Sequence, residues 1–254
     1  MDIRQTIEFF HLSFAHRLAA KVDRKFFCLK GGCNLRFYFQ SIRYSEDIDF
    51  DVHTTSVETL KKNVSKILDD QSFHAVLKNS QNLEIVDWTD PKQTEATQRW
   101  KVSIKVGTQM PVPTKIEFSR RNPDVTGAEV APVHPQLTSF YSLQPIILQH
   151  YQLLSAIEQK IGALINRTET QARDVIDLKI LKDRLAKPTS FSLTRERKTK
   201  VLETLMSVSF DDFKSQVWPY LMTEYQEYYG QVETWSQLLD EVIKFIETQS
   251  QGEI

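Results

Sequence analysis

Cysteine is nearly absent. The 254 residues hold 2, Cys28 and Cys33. With no Cys-x-x-Cys pair and no Cys/His zinc spacing, they offer neither a disulfide framework nor a structural zinc site. Both read as free thiols, Cys28 within a buried strand. Long apolar runs are missing too. None approaches the ~20 residues of a membrane-spanning helix, and Met1-Asp2-Ile3-Arg4-Gln5 lacks a signal peptide's apolar core. No membrane partner and a cytoplasmic location are therefore expected. Net charge is close to nil, at −1, so the molecule as a whole is no evident polyanion binder. Glycine is scarce as well, with 7 in the chain, and two of them stand side by side at 31 and 32. What remains, 41% hydrophobic and 26% charged residues, suffices for one large globular domain or two small ones.

The glycine pair opens the segment around which the chain is organised. Phe26-Phe27-Cys28-Leu29 is short, apolar and bounded by charge, as a buried strand would be. Gly31-Gly32 follows, then a short apolar helix with Leu35, Phe37 and Phe39. A glycine turn opening into a helix presents backbone N–H groups at the positive end of the helix dipole, which suits phosphate oxygens. It also suits a plain tight turn. Then comes Asp47-Ile48-Asp49-Phe50-Asp51-Val52. Strand side chains alternate between faces, so the acids share one face and the apolar residues the other. Such a row reads either as a solvated edge strand or as a place for Mg²⁺, which takes oxygen ligands and completes its shell with substrate phosphates.

Helical spacing of Ile7, Phe10, Phe14 and Leu18 predicts a helix over 3–21, with His11 and His16 off the stripe and at the surface. A second helix, capped by Thr55 or Ser56, runs to about Asp70. Leu83, Ile85 and Val86 suggest a strand. Thr89 to Gln98, with Pro91, reads as a loop. Trp100, Val102, Ile104 and Val106 alternate with polar residues, as does Pro113-Thr114-Lys115-Ile116-Glu117-Phe118-Ser119, where Lys115, Glu117 and Ser119 share a face. Residues 120–136 hold Pro123, Gly127, Pro132 and Pro135 and read as linker. The expected boundary lies near 135, dividing domains 1–135 and 136–254. Helices are predicted over 146–166, with Glu158 and Lys160 on the polar side, and over about 169–185. Between them lies Lys160, then Arg173-Asp174-x-x-Asp177. Without other context this is ordinary helical ion pairing. Residues 17–43 carry seven cations against Asp23, either a phosphate-attracting stretch or a solvated helix face. Trp218 to Gly230 is aromatic, for packing or for base stacking. Residues 250–254 are expected to fray.

Taken together, an apolar residue, Gly31-Gly32, a spacer of about ten residues and Asp47-x-Asp49 resemble the nucleotidyltransferase superfamily signature. More narrowly, Lys30-Gly31-Gly32-x-x-Leu35 followed by Arg43-x-Ser45-x-Asp47-Ile48-Asp49-Phe50 resembles the AbiEii/AbiGii-type abortive-infection nucleotidyltransferase toxins. The resemblance implies an α+β fold, with an N-terminal mixed sheet and flanking helices followed by a mostly helical domain. It implies a cytoplasmic enzyme that transfers NMP from an NTP to an acceptor hydroxyl, on tRNA, silenced by a cognate antitoxin. Asp47, Asp49 and Glu117 would hold two Mg²⁺ ions. Gly31, Gly32, Arg43, Ser45 and Arg173 would face the nucleotide. Lys160 would meet phosphate oxygens, and one of Asp174 and Asp177 would organise the nucleotide or orient Lys160 and Arg173. Cys33 is a departure, standing where members carry Thr or Ser. An altered nucleotide preference or a weaker enzyme follows if that hydroxyl matters. Transfer to a small molecule and a non-catalytic nucleotide-binding module remain as alternatives.

Overall fold

The computed structural model describes residues 2–121, 125–167, 171–186 and 191–249. The expected frayed tail, residues 122–124 of the expected linker and 169–170 of the expected second long helix lie outside them. The chain divides into two compact units, Met1–Gln40 with Tyr44–Gln152, and Ser41–Arg43 with Leu153–Ile254.

The first unit begins with α1 (Ile3–Lys21), a 3-10 turn (Arg24–Phe26), β1 (Phe27–Lys30), α2 (Gly31–Tyr38), β2 (Asp47–Val52), α3 (Val57–Leu68) and α4 (Gln71–Gln81). It continues through β3 (Leu83–Gln93), β4 (Thr97–Val106), β5 (Val112–Ser119), β6 (Ala128–Pro132), α5 (Pro135–Phe140) and β7 (Ile147–Tyr151). Among the described residues these strands form one seven-stranded sheet, ordered β3-β4-β5-β2-β1-β7-β6. The β2–β5 and β1–β7 pairs are parallel and the others antiparallel. The sheet is therefore mixed, as expected.

Local chemistry explains most boundaries. Asp2 and Gln5 close a capping box at the head of α1, which satisfies two orphan N–H groups. Ser56 accepts from the Thr59 N–H and starts α3. The α3 apolar stripe, Val57, Leu60, Val64, Ile67 and Leu68, is buried as predicted. In α1 burial runs all the way round from Thr6 to Ala15, so His11 is interior rather than at the surface. His16 is exposed.

Four stretches depart from expectation. The predicted loop 89–98 is mostly strand, because β3 reaches Gln93 and β4 begins at Thr97. Pro91 is tolerated there because β3 is an edge strand, with a register shift between Thr89 and Lys92. Helix α4 was not predicted. Its buried side chains are Phe73 and Leu77, and it is capped by Asp70 and closed by Asn82 in the left-handed conformation. Residues 128–132 of the expected linker form β6. The predicted helix over 146–166 begins instead at Leu153, because Ile146, Leu148 and His150 are buried while Ile147 is exposed. That two-residue alternation marks β7. With β6 and β7 completing the sheet, the boundary expected near 135 falls inside the first unit.

The second unit is helical: α6 (Leu153–Asn166), α7 (Ala172–Asp183), α8 (Arg195–Met206), α9 (Phe210–Gln216), a 3-10 turn (Trp218–Tyr220), α10 (Thr223–Tyr229) and α11 (Val232–Glu247). Ile157, Ile161, Val175, Leu178, Val201 and Val242 lie in its interior. The aromatic stretch contributes little to that interior: Tyr228 is exposed, and Trp218 carries the Lys214 ammonium over its ring. Among the described residues no helix is long and apolar enough to cross a membrane.

Candidate active site

In the first unit, β1 ends at Lys30 and the chain turns at Gly31 with φ +66°. An L side chain is disfavoured in that conformation by about 1–2 kcal/mol. Space is short too, since a Cβ on Gly31 would lie 3.0 Å from Asp49 Oδ2. Glycine is therefore demanded twice, by backbone angle and by the approach of the acid. Gly32 follows within α2. Lys30, the residue before that helix, provides no side-chain cap, so the first-turn N–H groups are left without that partner. Gly31→Ala is expected to destabilise the fold by about 1–2 kcal/mol, read from urea denaturation, and to displace the Asp49 carboxylate. A variant of unchanged midpoint and activity would contradict this.

Strand β2 presents its acids as the alternation requires. Its register with β5 sets Asp49 beside Glu117, Asp47 beside Lys115 and Asp51 beside Ser119. Paired residues on neighbouring strands share a face, about 4.8 Å apart along the ladder. Asp47, Asp49 and Glu117 thus lie on one partly exposed face. Asp51 has a different fate. It is buried, accepting from Lys30 Nζ at 2.5 Å and from the Tyr151 hydroxyl at 2.7 Å. The last acid of the row is a satisfied interior ion pair.

Cations sit on the other acids. Lys115 Nζ lies 2.9 Å from Asp47 Oδ2, and Arg99 reaches Glu117 Oε2 with Nη2 at 2.6 Å and Nε at 2.7 Å. Among the described residues no three His, Cys, Asp or Glu side chains converge into a ready metal cage. The donor chemistry nevertheless fits Mg²⁺. That ion needs only one or two carboxylates when waters and substrate phosphates fill the rest of its shell. The two side-chain cations also show that these carboxylates attract positive charge as they stand.

Behind the acids runs a buried polar chain that sequence reasoning missed. Ser45 Oγ donates to the Asp47 carbonyl at 2.8 Å. Cys33 Sγ lies 3.4 Å from the same carbonyl and 3.5 Å from His11 Nδ1. His11 Nε2 lies 2.7 Å from Thr114 Oγ1, whose hydroxyl donates to the Glu46 carbonyl at 2.7 Å. Since the Thr114 proton is committed to Glu46, His11 must donate from Nε2 and accept at Nδ1. Burial lowers the His11 pKa to about 3 and keeps it neutral. The sequence signal was the apolar run Phe9-Phe10-His11-Leu12, which points to burial and not to a partner. Burial also pushes the Cys33 and Cys28 thiols upward. Neither cysteine is therefore reactive. Iodoacetamide is expected to leave the native chain unmodified and to add two groups after denaturation, as mass spectrometry would show. Rapid native labelling of Cys33 would place it elsewhere.

The basic excess of residues 17–43 is largely neutralised within the fold. Arg17 and Lys21 pair with Asp70, Arg36 with the buried Glu8, and Lys30 with Asp51.

In the second unit Lys160 is buried, not on a polar helix face. Its Nζ lies 3.1 Å from Asp174 Oδ1 and 2.6 Å from Asp177 Oδ2. Arg43 embraces Asp177 with Nη2 to Oδ2 at 2.9 Å and Nε to Oδ1 at 3.2 Å. Arg167 Nη1 ion-pairs with Asp174 Oδ2 at 3.3 Å but without hydrogen-bond geometry. Both aspartates are fully buried, one turn apart on α7. Burial raises the Asp177 pKa, but Arg43 and then Lys160 outweigh it and bring it to about 2. Segment 41–43 is secured there further, as Arg43 bridges Leu221 and the Met222 N–H donates to the Ile42 carbonyl at 2.8 Å. Arg173 is half-buried and takes no part in this cluster.

The family profile described as "Nucleotidyl transferase AbiEii toxin, Type IV TA system" matches residues 14–230. No curated protein matches the chain. Among solved structures, JHP933 from Helicobacter pylori superposes with a TM-score of 0.60 at 19% identity, covering 96% of this chain and 94% of that one. MenT4, a nucleotidyltransferase toxin from Mycobacterium tuberculosis H37Rv, superposes with a TM-score of 0.61 at 16% identity, covering 97% of this chain and 85% of that one. At such identities the likeness is one of fold.

Proposed function

This chain belongs to the AbiEii nucleotidyl transferase toxin family, and from that premise we propose that it transfers a nucleoside monophosphate from an NTP to an acceptor hydroxyl on RNA, with Mg²⁺ at Asp47 and Asp49. The observation that carries the reading is the β2–β5 register, which sets Glu117 beside Asp49, next to a turn that only glycine fits. A family of type IV toxin–antitoxin systems further implies a cognate antitoxin as partner.

The residues divide the work as follows. Asp47 and Asp49 would hold the metal, and Glu117, now paired with Arg99, would be the third carboxylate available to it. Bound Mg²⁺ would polarise the α-phosphate, lower the pKa of the acceptor hydroxyl and neutralise the departing pyrophosphate. The first-turn N–H groups after Gly31 and Gly32 take the outer phosphates. Ser45 holds the Asp47 carbonyl, so its contribution is to aim the strand. Cys33 faces the interior, and the hydroxyl usual at its position is not needed if backbone donors hold the phosphate. Equal kinetics of a Cys33→Ser variant are the expected result. The resemblance assigns Lys160, Arg173, Asp174 and Asp177 to the nucleotide. Lys160 is buried, with two of its three N–H donors on Asp174 and Asp177, so the role favoured for this cluster is to hold segment 41–43, four residues ahead of Asp47.

The test is incubation with each labelled NTP and total cellular RNA, with and without Mg²⁺, beside a panel of small hydroxyl-bearing acceptors. Mg²⁺-dependent label in a discrete RNA band is the expected result. Label confined to a small molecule would replace the acceptor. No label together with no Mg²⁺-NTP binding by calorimetry would overturn the reaction.

A further inference from the structure

Two rows of charge run outward from the aspartates across the sheet. Ladder pairing sets Asp49 on β2 beside Glu117 on β5, Glu117 beside Arg99 on β4, and Arg99 beside Lys92 on β3. The next row runs Asp47, Lys115, Lys101 and Thr89. Residues paired across a ladder share a face. One sheet face therefore carries acids on its inner strands and cations toward its edge. Strand spacing puts the β3 edge about 14 Å from the aspartate strand.

The cations are placed against their own interest. Lys101 stands opposite Lys115, and Lys92 opposite Arg99. Like charges directly opposite one another destabilise a sheet. Asp47 neutralises Lys115 and Glu117 neutralises Arg99. Lys92 and Lys101, half-buried and exposed, have no ion-pair partner among the described residues. Farther along the hairpin the pattern stops: Ser103 pairs with Asp87, and Lys105 is taken by Glu84 at 3.2 Å. Among the described residues of this sheet face, unmatched positive charge lies at the outer ends of the rows that start at Asp47 and Asp49.

We propose that these rows are the track for the acceptor's sugar–phosphate backbone, with Lys92 and Lys101 receiving phosphates at the sheet edge so that the terminal hydroxyl arrives over Asp47 and Asp49. The inference rests on those aspartates being the reaction centre and on RNA being the acceptor. Lysine ammoniums are point charges that bind phosphate without reading sequence. The rows extend well past the reach of one triphosphate, whose outer phosphates are served from the Gly31 side. A nucleic acid strand thus fits them better than a nucleotide does.

The test uses the full chain, a fluorescent single-stranded RNA oligonucleotide with a free 3′ hydroxyl, and anisotropy over a series of KCl concentrations. Lys92→Glu/Lys101→Glu is expected to weaken RNA binding at least about tenfold and to reduce the salt slope by about 1.4, two phosphate contacts' worth. Mg²⁺-NTP affinity by calorimetry should hold, and the melting temperature should hold or rise as the Lys101–Lys115 repulsion goes. Lys92→Arg/Lys101→Arg should bind RNA as the wild type does. The inference is overturned if the wild type binds no RNA, if the charge-reversed variant keeps its affinity and slope, or if its Mg²⁺-NTP affinity falls equally. A polyglutamate of equal charge competing better than unlabelled RNA would also overturn it, in favour of an acidic protein. Loss of RNA binding in the variant, with wild-type transfer only to small molecules, would overturn the rows as an acceptor track and leave an RNA-binding edge unconnected to the reaction.

Discussion

Asp49→Asn should slow NMP transfer by at least about 10³-fold, on the order of 4 kcal/mol of lost transition-state stabilisation. The amide keeps the shape of the side chain and removes the charge that would hold a divalent ion. Asp49 lies closest to the Gly31 turn, while Glu117 beside it is held by Arg99 and Asp47 by Lys115, so neither replaces it at that point. The loss should fall on turnover and on metal dependence, not on the fold. Single-turnover incorporation of labelled NTP gives the rate, calorimetry gives Mg²⁺-NTP binding, and circular dichroism checks that the sheet is intact. A well-folded Asp49→Asn protein that transfers at the wild-type rate would remove the reaction centre from β2.

Asp177→Ala should cost the helical unit about 3–5 kcal/mol, because breaking a buried pair strands the partners. Arg43 would lose its whole bidentate acceptor, and Lys160 would keep only Asp174. Urea unfolding followed by amide hydrogen exchange in α6, α7 and α11 reports on this unit. The same carboxylate confers acid sensitivity. Its folded-state pKa, about 2, lies below the ordinary 3.8, so the folded chain binds fewer protons there than the unfolded one. The stabilisation is full above pH 3.8 and is lost as pH falls through the window toward 2, on the order of 2 kcal/mol in all. Asp177→Asn has nothing to titrate, so its stability should fall less steeply than the wild type's across that window. Parallel curves would mean that Asp177 is not held by Arg43 and Lys160 as described.

How far the sequence could be read depended on how local each signal was. Strand alternation is a property of the backbone itself, so the facing of Asp47 and Asp49, and of Glu117 on its own strand, was legible without a fold. The same holds for the glycine turn, since Gly31 is required first by its own φ. The α3 stripe and its Ser56 cap lie within one unbroken stretch, residues 56–68, and were equally plain. Elements held by few anchors were not legible. Helix α4 rests on Phe73 and Leu77, and β6 on pairing with β7. Pro91 suggested a loop, and only an edge position in the finished sheet makes it acceptable in a strand.

Alone, the chain's residue order determined which side chains share a face of one strand or one helix, and through the Gly31-to-Asp49 spacing it indicated the family. Partnership was decided in three dimensions. Asp51 belongs to the same acidic row as Asp47 yet is sealed by Lys30 and Tyr151. Lys160 looked solvated and is buried between two aspartates. His11 lies off its helix stripe and still ends inside, against Thr114. Alternation and helical period repeat every few residues. Strand register, burial of a charge and the choice of counter-ion depend on segments tens to more than a hundred residues away, and no short stretch of sequence encodes them.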